Sequence, residues 1–312
     1  MRAVGLKDFG GPEVLEILDV PEVHAGPGQV RISVQAAAVN PTDLMARNGA
    51  RAEQLRAETP PPWVPGMDVA GIVDEVGDGV TSLAVGDMVM GMVVTKGSHG
   101  GYREQIVMGE RSVTKVPAGA SPAEACTLPM NGMTATRILD LLDLSPGQVL
   151  AVTGAAGALG GYLIAIAKAD GLTVVADASE ADEALIASFG ADIVVRRGDD
   201  VADRIRENFP DGVDGLADGA VMRELAVPAV RDGGSFASVR GWQGNGERGI
   251  AFHTVSVRAY DGEFEKLDRL RRLADEGRIT LRVADRFQPE NAADAHRRLE
   301  AGGVRGRLVI EF

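Results

Sequence analysis

Residues Gln148 to Asp177 read QVLAVTGAAGALGGYLIAIAKADGLTVVAD, and this stretch decides the fold of the chain. Val149–Thr153 is a short apolar run without charge, which is the pattern of a parallel strand buried on both faces. The glycine-rich segment AAGALGG follows, then an apolar helical run and a second apolar strand that reaches Asp177. The order of strand, glycine loop, helix and strand predicts one βαβ unit.

The glycine loop of this unit fits the binding of a dinucleotide. Ala155, Gly157 and Gly160 occupy the three glycine positions of G-x-G-x-x-G, so Ala155 departs from the pattern. Gly157 has no Cβ, which lets a pyrophosphate approach the backbone, and Gly160 lets the helix pack closely on the strand. The helix N-terminus adds unpaired N–H donors and partial positive charge. The predicted contacts in this loop are Gly154, Ala155, Ala156, Gly157, Ala158, Leu159 and Gly160.

The alternative for such a loop is a glycine-rich turn that only packs a helix on a sheet. Here the strand, the glycines, the helix, the second strand and a terminal acid all occur in order, with Asp177 twenty residues beyond Gly157. A carboxylate at the end of the second strand is placed to bind ribose hydroxyls. The complete unit therefore favours dinucleotide binding over a purely structural turn.

Composition and charge limit the class of protein. A chain of 312 residues is too long for one typical core and fits two domains. The hydrophobic content of 45% and the charged content of 25% are those of a soluble globular protein. The net charge of −13 opposes binding to nucleic acid and to anionic membranes. The N-terminal segment has no apolar run for secretion, so we expect a cytoplasmic protein. One cysteine, Cys126, rules out an internal disulfide and a multi-cysteine zinc site.

The pattern of residues differs between two parts of the chain. Up to about residue 120 it is rich in valine, glycine and proline, with short alternating runs that predict a β-rich domain with many turns. After Pro122, helical and strand patterns alternate, which predicts a parallel, doubly wound sheet. We expect helices around Ala123–Leu142 and Glu263–Glu276, and short strands in Arg282–Phe312. The expected strands beyond the βαβ unit are Ile193–Arg197, Val213–Asp218, Ser235–Val239 and Ile250–Val257.

Several motifs outside the βαβ unit match one known family. They are Gly11-Pro12-Glu13-Val14-Leu15, Val39-Asn40-Pro41-Thr42-Asp43, Pro65-Gly66-Met67-Asp68-Val69-Ala70-Gly71, Gly100-Gly101-Tyr102, Asn131-Gly132-Met133-Thr134-Ala135 and Arg305-Gly306-Arg307-Leu308-Val309. With the glycine loop, the chain resembles over nearly its whole length the zinc-independent medium-chain dehydrogenase/reductases of the quinone oxidoreductase (zeta-crystallin-like) branch. The resemblance implies a β-rich GroES-like catalytic domain, residues 1–121 and 262–312, and a Rossmann dinucleotide-binding domain, residues 122–261.

The resemblance allows zinc to be tested residue by residue. Zinc-dependent relatives have a cysteine where Asn40 stands and a histidine where Met67 stands. An amide and a thioether are poor substitutes for the thiolate and imidazole that zinc prefers. The four histidines show no paired spacing; they are His24, His99, His253 and His296. We therefore predict no zinc.

Without a Lewis acid to bind an alkoxide, ordinary alcohol dehydrogenation loses its main electrostatic aid. We therefore predict hydride transfer from NADH or NADPH to a quinone or an α,β-unsaturated carbonyl compound. Two alternatives stay open. One is an enoyl or ketone tailoring reductase of a biosynthetic pathway, and the other is a nucleotide-binding protein of the same fold without turnover.

Three residues are candidates for catalysis. The resemblance places Asn40 beside the nicotinamide and the substrate, where its amide would donate to a carbonyl oxygen; a turn-forming asparagine before proline is the alternative. Asp43 is a candidate for orienting that loop or relaying a proton, with capping of a helix at Leu44–Asn48 as the alternative. Several quinone reductases have a tyrosine where Met45 stands, so Tyr102 is the remaining nearby tyrosine. Its alternative is a packed strand residue.

The remaining cofactor contacts follow partly from the resemblance. It implies that Asn131 and Thr134 lie along the nicotinamide ribose and carboxamide, and that the segment after the fifth strand borders the cofactor. That segment is Val239, Arg240 and Gly241. The acid Asp177 and the two residues after it, Ala178 and Ser179, are expected at the adenine ribose.

The family mostly uses NADPH, but the local charges point to NADH. Asp177 stands where a 2′-phosphate would lie, and residues 178–183 add three acids and no base. Like charges about 4 Å apart cost roughly 4 kcal/mol at an effective dielectric near 20. Arg196, Arg197 or Arg240 would reverse this preference if one of them reached the ribose.

The resemblance also favours a homodimer. Ile250–Val257 alternates apolar residues and is the expected edge strand of the sheet, so it is a candidate for pairing across two subunits. An edge covered by a helix of the same chain is the alternative.

Overall fold

The structure is a computed structural model that describes residues 1–312. Its strands, in chain order, are β1 Arg2–Gly5, β2 Glu16–Asp19, β3 Gln29–Ala38, β4 Asp68–Val76, β5 Met88–Met92, β6 Gln105–Gly109, β7 Val113–Lys115, β8 Val149–Thr153, β9 Thr173–Ala178, β10 Ile193–Arg196, β11 Val213–Asp218, β12 Val230–Ser238, β13 Ala251–Thr254, β14 Val283–Phe287 and β15 Arg307–Glu311. Its α-helices are α1 Pro41–Arg47, α2 Ala52–Glu58, α3 Pro122–Ala125, α4 Pro129–Leu142, α5 Ala158–Ala169, α6 Glu183–Ser188, α7 Val201–Asn208, α8 Phe264–Asp275 and α9 Ala292–Glu300.

The chain forms two compact units. The first contains Met1–Met130, Tyr260–Arg272 and Leu281–Phe312, so both ends of the chain belong to it. The second contains Asn131–Ala259 and Leu273–Thr280. None of the helices has both the length and the apolar character needed to cross a bilayer.

The first unit is built on a seven-stranded sheet. Its order is β14-β15-β3-β4-β5-β7, and β6 also pairs with β3. The central strand, β3, alternates buried and half-buried residues, as expected for a strand with one face on the core. Gly71 on β4 admits the close approach of β3, because a Cβ there would lie 2.1 Å from the carbonyl oxygen of Ser33. All pairings of this sheet are antiparallel except β14 with β15.

The second unit contains the doubly wound sheet predicted from the sequence. Six parallel strands lie in the order β10-β9-β8-β11-β12-β13. The strand order reverses between β8 and β11, and the carboxyl ends of these two strands form the crevice where open α/β sheets bind ligands. Buried side chains from the sheet, among them Val175, Leu216 and Phe236, form its core. The predicted fold class, a Rossmann sheet with a β-rich GroES-like domain, is confirmed.

Two element predictions need correction. The helix expected at Ala123–Leu142 is two helices, α3 and α4, because Pro129 has no N–H for a helix interior and instead begins α4. The segment Arg282–Phe312 has the expected short strands, β14 and β15, but helix α9, which was not expected, lies between them. The buried face of α9 is formed by Ala292, Ala295 and His296, which gives only a weak apolar period.

Candidate functional site

The glycine loop between β8 and α5 has a separate constraint at each glycine. Gly154 has a φ of +72°, and a Cβ there would lie 2.9 Å from the backbone nitrogen of Ala220. At Gly160 a Cβ would lie 2.5 Å from the Cα of Ala155, so this position must be small for the helix to pack. A Cβ at Gly157 would meet only the carbonyl oxygen of Gly154, at 3.2 Å. Gly157 is therefore the position whose open side fits an approaching pyrophosphate.

Helix α5 begins directly after this open position. Its N-cap is Gly157, which offers no side chain to bond the first-turn N–H groups. Eight of its residues from Gly160 to Ala167 are buried, so its position on the sheet is fixed. A buried helix with an uncapped N-terminus at the crevice suits a phosphate of a dinucleotide.

The carboxylate of Asp177, on β9, is buried and hydrogen-bonded to other groups of the protein. Its side chain is 3% exposed. One carboxylate oxygen accepts the N–H of Ala155 at 3.0 Å, and the other accepts the Nε–H of Arg197 at 2.9 Å. Asp177 thus holds the start of the glycine loop, and its charge is paired with Arg197. Asp177 is therefore not the unpaired charge on which the expected preference for NADH rests.

The other predicted cofactor residues of the sheet lie at the same edge. Ala178 ends β9, and the hydroxyl of Ser179 after it donates to Asp182 at 2.6 Å. Val239–Gly241 follow β12 directly, with Arg240 at φ +65° and Gly241 at φ +79°. Since the strands are parallel, these segments and the glycine loop share the carboxyl edge of the sheet. Asn131 and Thr134 lie in the first turns of α4, 9% and 7% exposed.

In the first unit, Asn40 belongs to a buried polar network. Its side-chain N–H groups donate to Asp68 at 2.8 Å and to the carbonyl of Ala38 at 3.3 Å. Its side-chain oxygen accepts an N–H of Arg307 at 2.6 Å, and Arg307 also pairs with Asp68 at 3.1 Å. The second oxygen of Asp68 accepts the N–H of Met130. Burial raises the pKa of Asp68, and the Arg307 guanidinium opposes that rise. The amide of Asn40 is therefore fully engaged within the protein.

Asp43 and Tyr102 form a second buried network beside the first. Asp43 accepts the N–H of Asn40 at 2.8 Å, the N–H of Gly66 at 3.0 Å and the hydroxyl of Tyr102 at 3.1 Å. Burial raises the pKa of Asp43 to about 6, although these three donors favour the ionised form. The ring of His296 lies 3.4 Å from the Tyr102 hydroxyl, and burial lowers its pKa to about 3. The histidine is therefore neutral at pH 7.

The expected local structure around these residues needs two corrections. Helix α1 begins at Pro41, not at Leu44, so Asp43 caps the helix from its third position by accepting the Asn40 N–H. Tyr102 is not a strand residue, because β6 begins only at Gln105. The structure brings Asn40, Asp43 and Tyr102 together through hydrogen bonds, and their part in catalysis stays a prediction.

A mainly apolar pocket adjoins the Asp43 network in the first unit. Its apolar lining includes Leu6, Leu55, Trp63 and Met67. Thr42 also lines it, and the only hydrogen-bond acceptor of its hydroxyl is the Met67 sulfur at 3.3 Å. A thioether is a weak acceptor, so this hydroxyl is available to a bound molecule, as is the side chain of Lys96, which also lines the pocket. Thr42 is not among the candidates selected from the sequence, although it lies in the motif Asn40-Pro41-Thr42-Asp43.

The donor set at these positions does not fit a zinc ion. The structure contains no group of three or more His, Cys, Asp and Glu side chains that would hold a metal. The amide of Asn40 is hydrogen-bonded to Asp68 and Arg307, and Met67 offers only a thioether. The single cysteine, Cys126, is buried, and its thiol donates to the carbonyl of Ala123.

Comparison with known proteins gives the family. Residues 26–118 match the alcohol dehydrogenase GroES-like domain, and residues 189–310 match the zinc-binding dehydrogenase domain. The chain is 32% identical to the 2-methylene-furan-3-one reductase of Solanum lycopersicum, a match that covers 99% of this chain and 79% of that protein. The chain belongs to the medium-chain dehydrogenase/reductase family, in its quinone oxidoreductase branch.

Other members of this family support the same assignment. The NADPH-dependent alkenal/one oxidoreductase of Arabidopsis thaliana chloroplasts is 30% identical, over 99% of this chain and 79% of that protein. The solved structure of the quinone oxidoreductase from Coxiella burnetii matches with a TM-score of 0.85 at 27% identity, covering 100% of this chain and 99% of that one. The family resemblance stated from the sequence motifs is confirmed.

Proposed function

We propose that this medium-chain dehydrogenase/reductase is an NAD(P)H-dependent reductase of quinones and α,β-unsaturated carbonyl compounds, and that it works without zinc. The observation that carries the proposal is the buried bonding of Asn40 to Asp68 and Arg307, which replaces a metal-binding donor set with a hydrogen-bonded one. The related proteins named as an alkenal/one oxidoreductase and a furanone reductase support the substrate class. The activities named for these related proteins favour this function over that of a tailoring reductase or of a protein without turnover.

The cofactor would be held by the second unit. The open face of Gly157 and the uncapped start of α5 would bind its pyrophosphate, and Val239–Gly241 would border it. When bound, the reduced nicotinamide supplies the hydride. The chain's own residues must then bind the acceptor, exclude water and place a donor at the oxygen that gains charge.

Thr42 is the proposed donor to that oxygen. Its hydroxyl lines the apolar pocket and has only the Met67 sulfur as a competing acceptor. Asn40, Asp43 and Tyr102 are 0%, 2% and 0% exposed, and their polar groups bond to each other and to neighbouring groups. Their proposed catalytic part is to hold the segment Asn40–Asp43, and with it Thr42, in place.

We further propose that NADPH is accepted at least as well as NADH. Arg197 pairs with Asp177, so the carboxylate no longer opposes a 2′-phosphate as an isolated charge. Arg196 likewise lies 3.4 Å from Glu180 and 3.8 Å from Glu183. The side chain of Arg197 is 38% exposed, which leaves guanidinium surface for a phosphate.

The test is oxidation of NADPH or NADH, followed by absorbance, with 1,4-benzoquinone, 9,10-phenanthrenequinone and simple enones. We expect turnover with at least one acceptor, and its loss in Gly157→Val, whose side chain fills the open face of the loop. Gly109→Val is the matched control, since no atom lies within 4 Å of a Cβ at Gly109. Cofactor binding without oxidation by any acceptor would contradict the proposal.

Two further parts of the proposal concern assembly and location. Strand β13 is an edge of the six-stranded sheet, and we propose that it pairs with its copy in a homodimer. Sedimentation that shows a monomer at micromolar concentration would contradict this. Location in the cytoplasm also stays a prediction, and cell fractionation tests it. The absence of nucleic-acid and membrane partners is a separate prediction.

A further inference from the structure

Asp218, the last residue of β11, accepts hydrogen bonds from several segments at the carboxyl edge of the parallel sheet. It is fully buried and has no cationic partner among its hydrogen bonds. One oxygen accepts the Thr153 hydroxyl at 2.7 Å and the N–H of Met222 at 2.9 Å. The other accepts the N–H of Arg223 at 2.9 Å and the Ser238 hydroxyl at 3.4 Å. Asp218 therefore joins the ends of β8, β11 and β12 to the loop that follows β11.

That loop, residues 219–223, has an unfavourable backbone. Val221 has a φ of +61° and Arg223 a φ of +53°, in the left-handed region that β-branched and long side chains rarely adopt. Such conformations persist only where the surroundings fix them, and they concentrate at ligand sites. The N–H groups of Met222 and Arg223 bond to Asp218, and the N–H of Ala220 bonds to the Thr153 hydroxyl that itself donates to Asp218, so these contacts hold the backbone of the loop.

The same loop forms a wall of the crevice at the switch in strand order. Gly154 lacks a Cβ where one would collide with Ala220, so the loops after β8 and β11 touch. The N–H of Gly219 also bonds the carbonyl of Thr153 at 3.2 Å. Ala220 is exposed, and Val221 is half-buried. The loop thus presents an open surface next to the glycine loop.

The topology indicates which half of the dinucleotide this surface faces. Asp177, on β9, marks the side of the crevice that holds the adenine ribose. β11 lies on the opposite side of β8 from β9. A dinucleotide that crosses the switch point therefore extends its nicotinamide half over β11 and the loop after it.

We propose that Asp218 is a positioning residue of the cofactor site: it holds residues 219–223 in the strained conformation that receives the nicotinamide half of the dinucleotide. This inference rests on the proposed cofactor binding and assigns a role to a residue that makes no contact with the hydride. An asparagine at this position has one acceptor oxygen instead of two. It therefore loses one of the two pairs of bonds that fix the loop.

The experiment compares a whole cofactor with its adenine half. Dissociation constants of NADPH and of adenosine 2′,5′-bisphosphate are measured by calorimetry for the unaltered protein and for Asp218→Asn. We expect the constant for NADPH to rise at least tenfold and that for the bisphosphate to change less than threefold. Thr153→Val removes the hydroxyl that donates to Asp218 and accepts the N–H of Ala220 at 3.3 Å, so it should also weaken NADPH binding and spare the bisphosphate.

Asp214→Asn is the matched control at the other end of the same strand. Asp214 also accepts a backbone N–H, from Val149, and side-chain donors from Gln148 and Arg231, but it lies at the amino edge of the sheet. It should leave the affinity for NADPH unchanged. Unchanged NADPH affinity in Asp218→Asn, or an equal loss for the bisphosphate, overturns the role of Asp218. If the unaltered protein binds no nicotinamide cofactor, the proposed function fails and the role of the loop fails with it.

Discussion

Replacing Arg307 by methionine isolates the buried pair beneath the candidate site. Arg307 and Asp68 are 4% and 0% exposed, and one Arg307 nitrogen also bonds the carbonyl of Val39 and the side-chain oxygen of Asn40. The substitution leaves Asp68 as a buried carboxylate held by Asn40 and the Met130 N–H alone. Removing one partner of a buried pair costs about 3–5 kcal/mol, and we expect a loss of unfolding free energy in this range.

The loss should depend on pH in a defined direction. Burial already raises the pKa of Asp68, and without Arg307 the pKa rises further. When the pKa of an acid is higher in the folded than in the unfolded state, the protein loses stability as the pH rises toward the folded-state pKa, because the folded state binds the proton more tightly. Arg307→Met should therefore be less damaging near pH 5 than near pH 8.

Urea unfolding, followed by tryptophan fluorescence and circular dichroism at both pH values, measures this. Arg286→Met is the matched control, because Arg286 pairs with Glu311 with side chains 52% and 32% exposed. Exposed pairs contribute about 0–1 kcal/mol, so the control should be nearly neutral. A loss below about 1 kcal/mol for Arg307→Met, equal to that of the control, refutes the account of this network.

Three further predictions follow from the site. Thr42→Val should lower kcat with an enone by about 100-fold, the scale for losing one oxyanion donor, while Thr42→Ser keeps most of it; equal rates for both variants contradict the role of the hydroxyl. Arg197→Gln should shift the NADPH to NADH affinity ratio toward NADH by about tenfold, because it leaves Asp177 unpaired, whereas Arg196→Gln should shift it less; competition binding measures both. Asp43 has its pKa raised to about 6, so its stabilising contribution is full below about pH 4 and is lost as pH rises through 6. Across this range, the unfolding free energy of Asp43→Asn should fall less with rising pH than that of the unaltered protein, by about 3 kcal/mol. Denaturation at several pH values measures this, and parallel curves for the two proteins would contradict it.

Much of the fold could be predicted from local sequence pattern. The apolar run Val149–Thr153 and the glycines after it require a strand and a closely packed helix, and the structure has both as β8 and α5. Helix α9 was missed because alanines and a histidine form its buried face, so no leucine period marks it. The helical pattern continues from α3 into α4, although Pro129 marks where the second helix begins.

The motifs of the candidate site could be predicted from the sequence, but the hydrogen-bond partners of their residues could not. Asn40, Asp43 and Tyr102 were selected because they lie in motifs, but the partners that engage them, Arg307 and His296, come from the far end of the chain. Those contacts depend on β15 pairing with β3 and on the packing of α9, which no local pattern contains. The pairing of Asp177 with Arg197 is similar, because it needs the parallel register of β9 and β10.

The central claim is hydride transfer to a quinone or enone without a metal ion. The direct measurement is steady-state oxidation of NADPH by 1,4-benzoquinone and by an enone, before and after dialysis against a strong chelator, with bound zinc quantified on the same sample. We predict full activity at a zinc content far below one ion per chain, and no gain when zinc is restored. Activity that disappears with the metal and returns with zinc, or no oxidation with either acceptor, would contradict it.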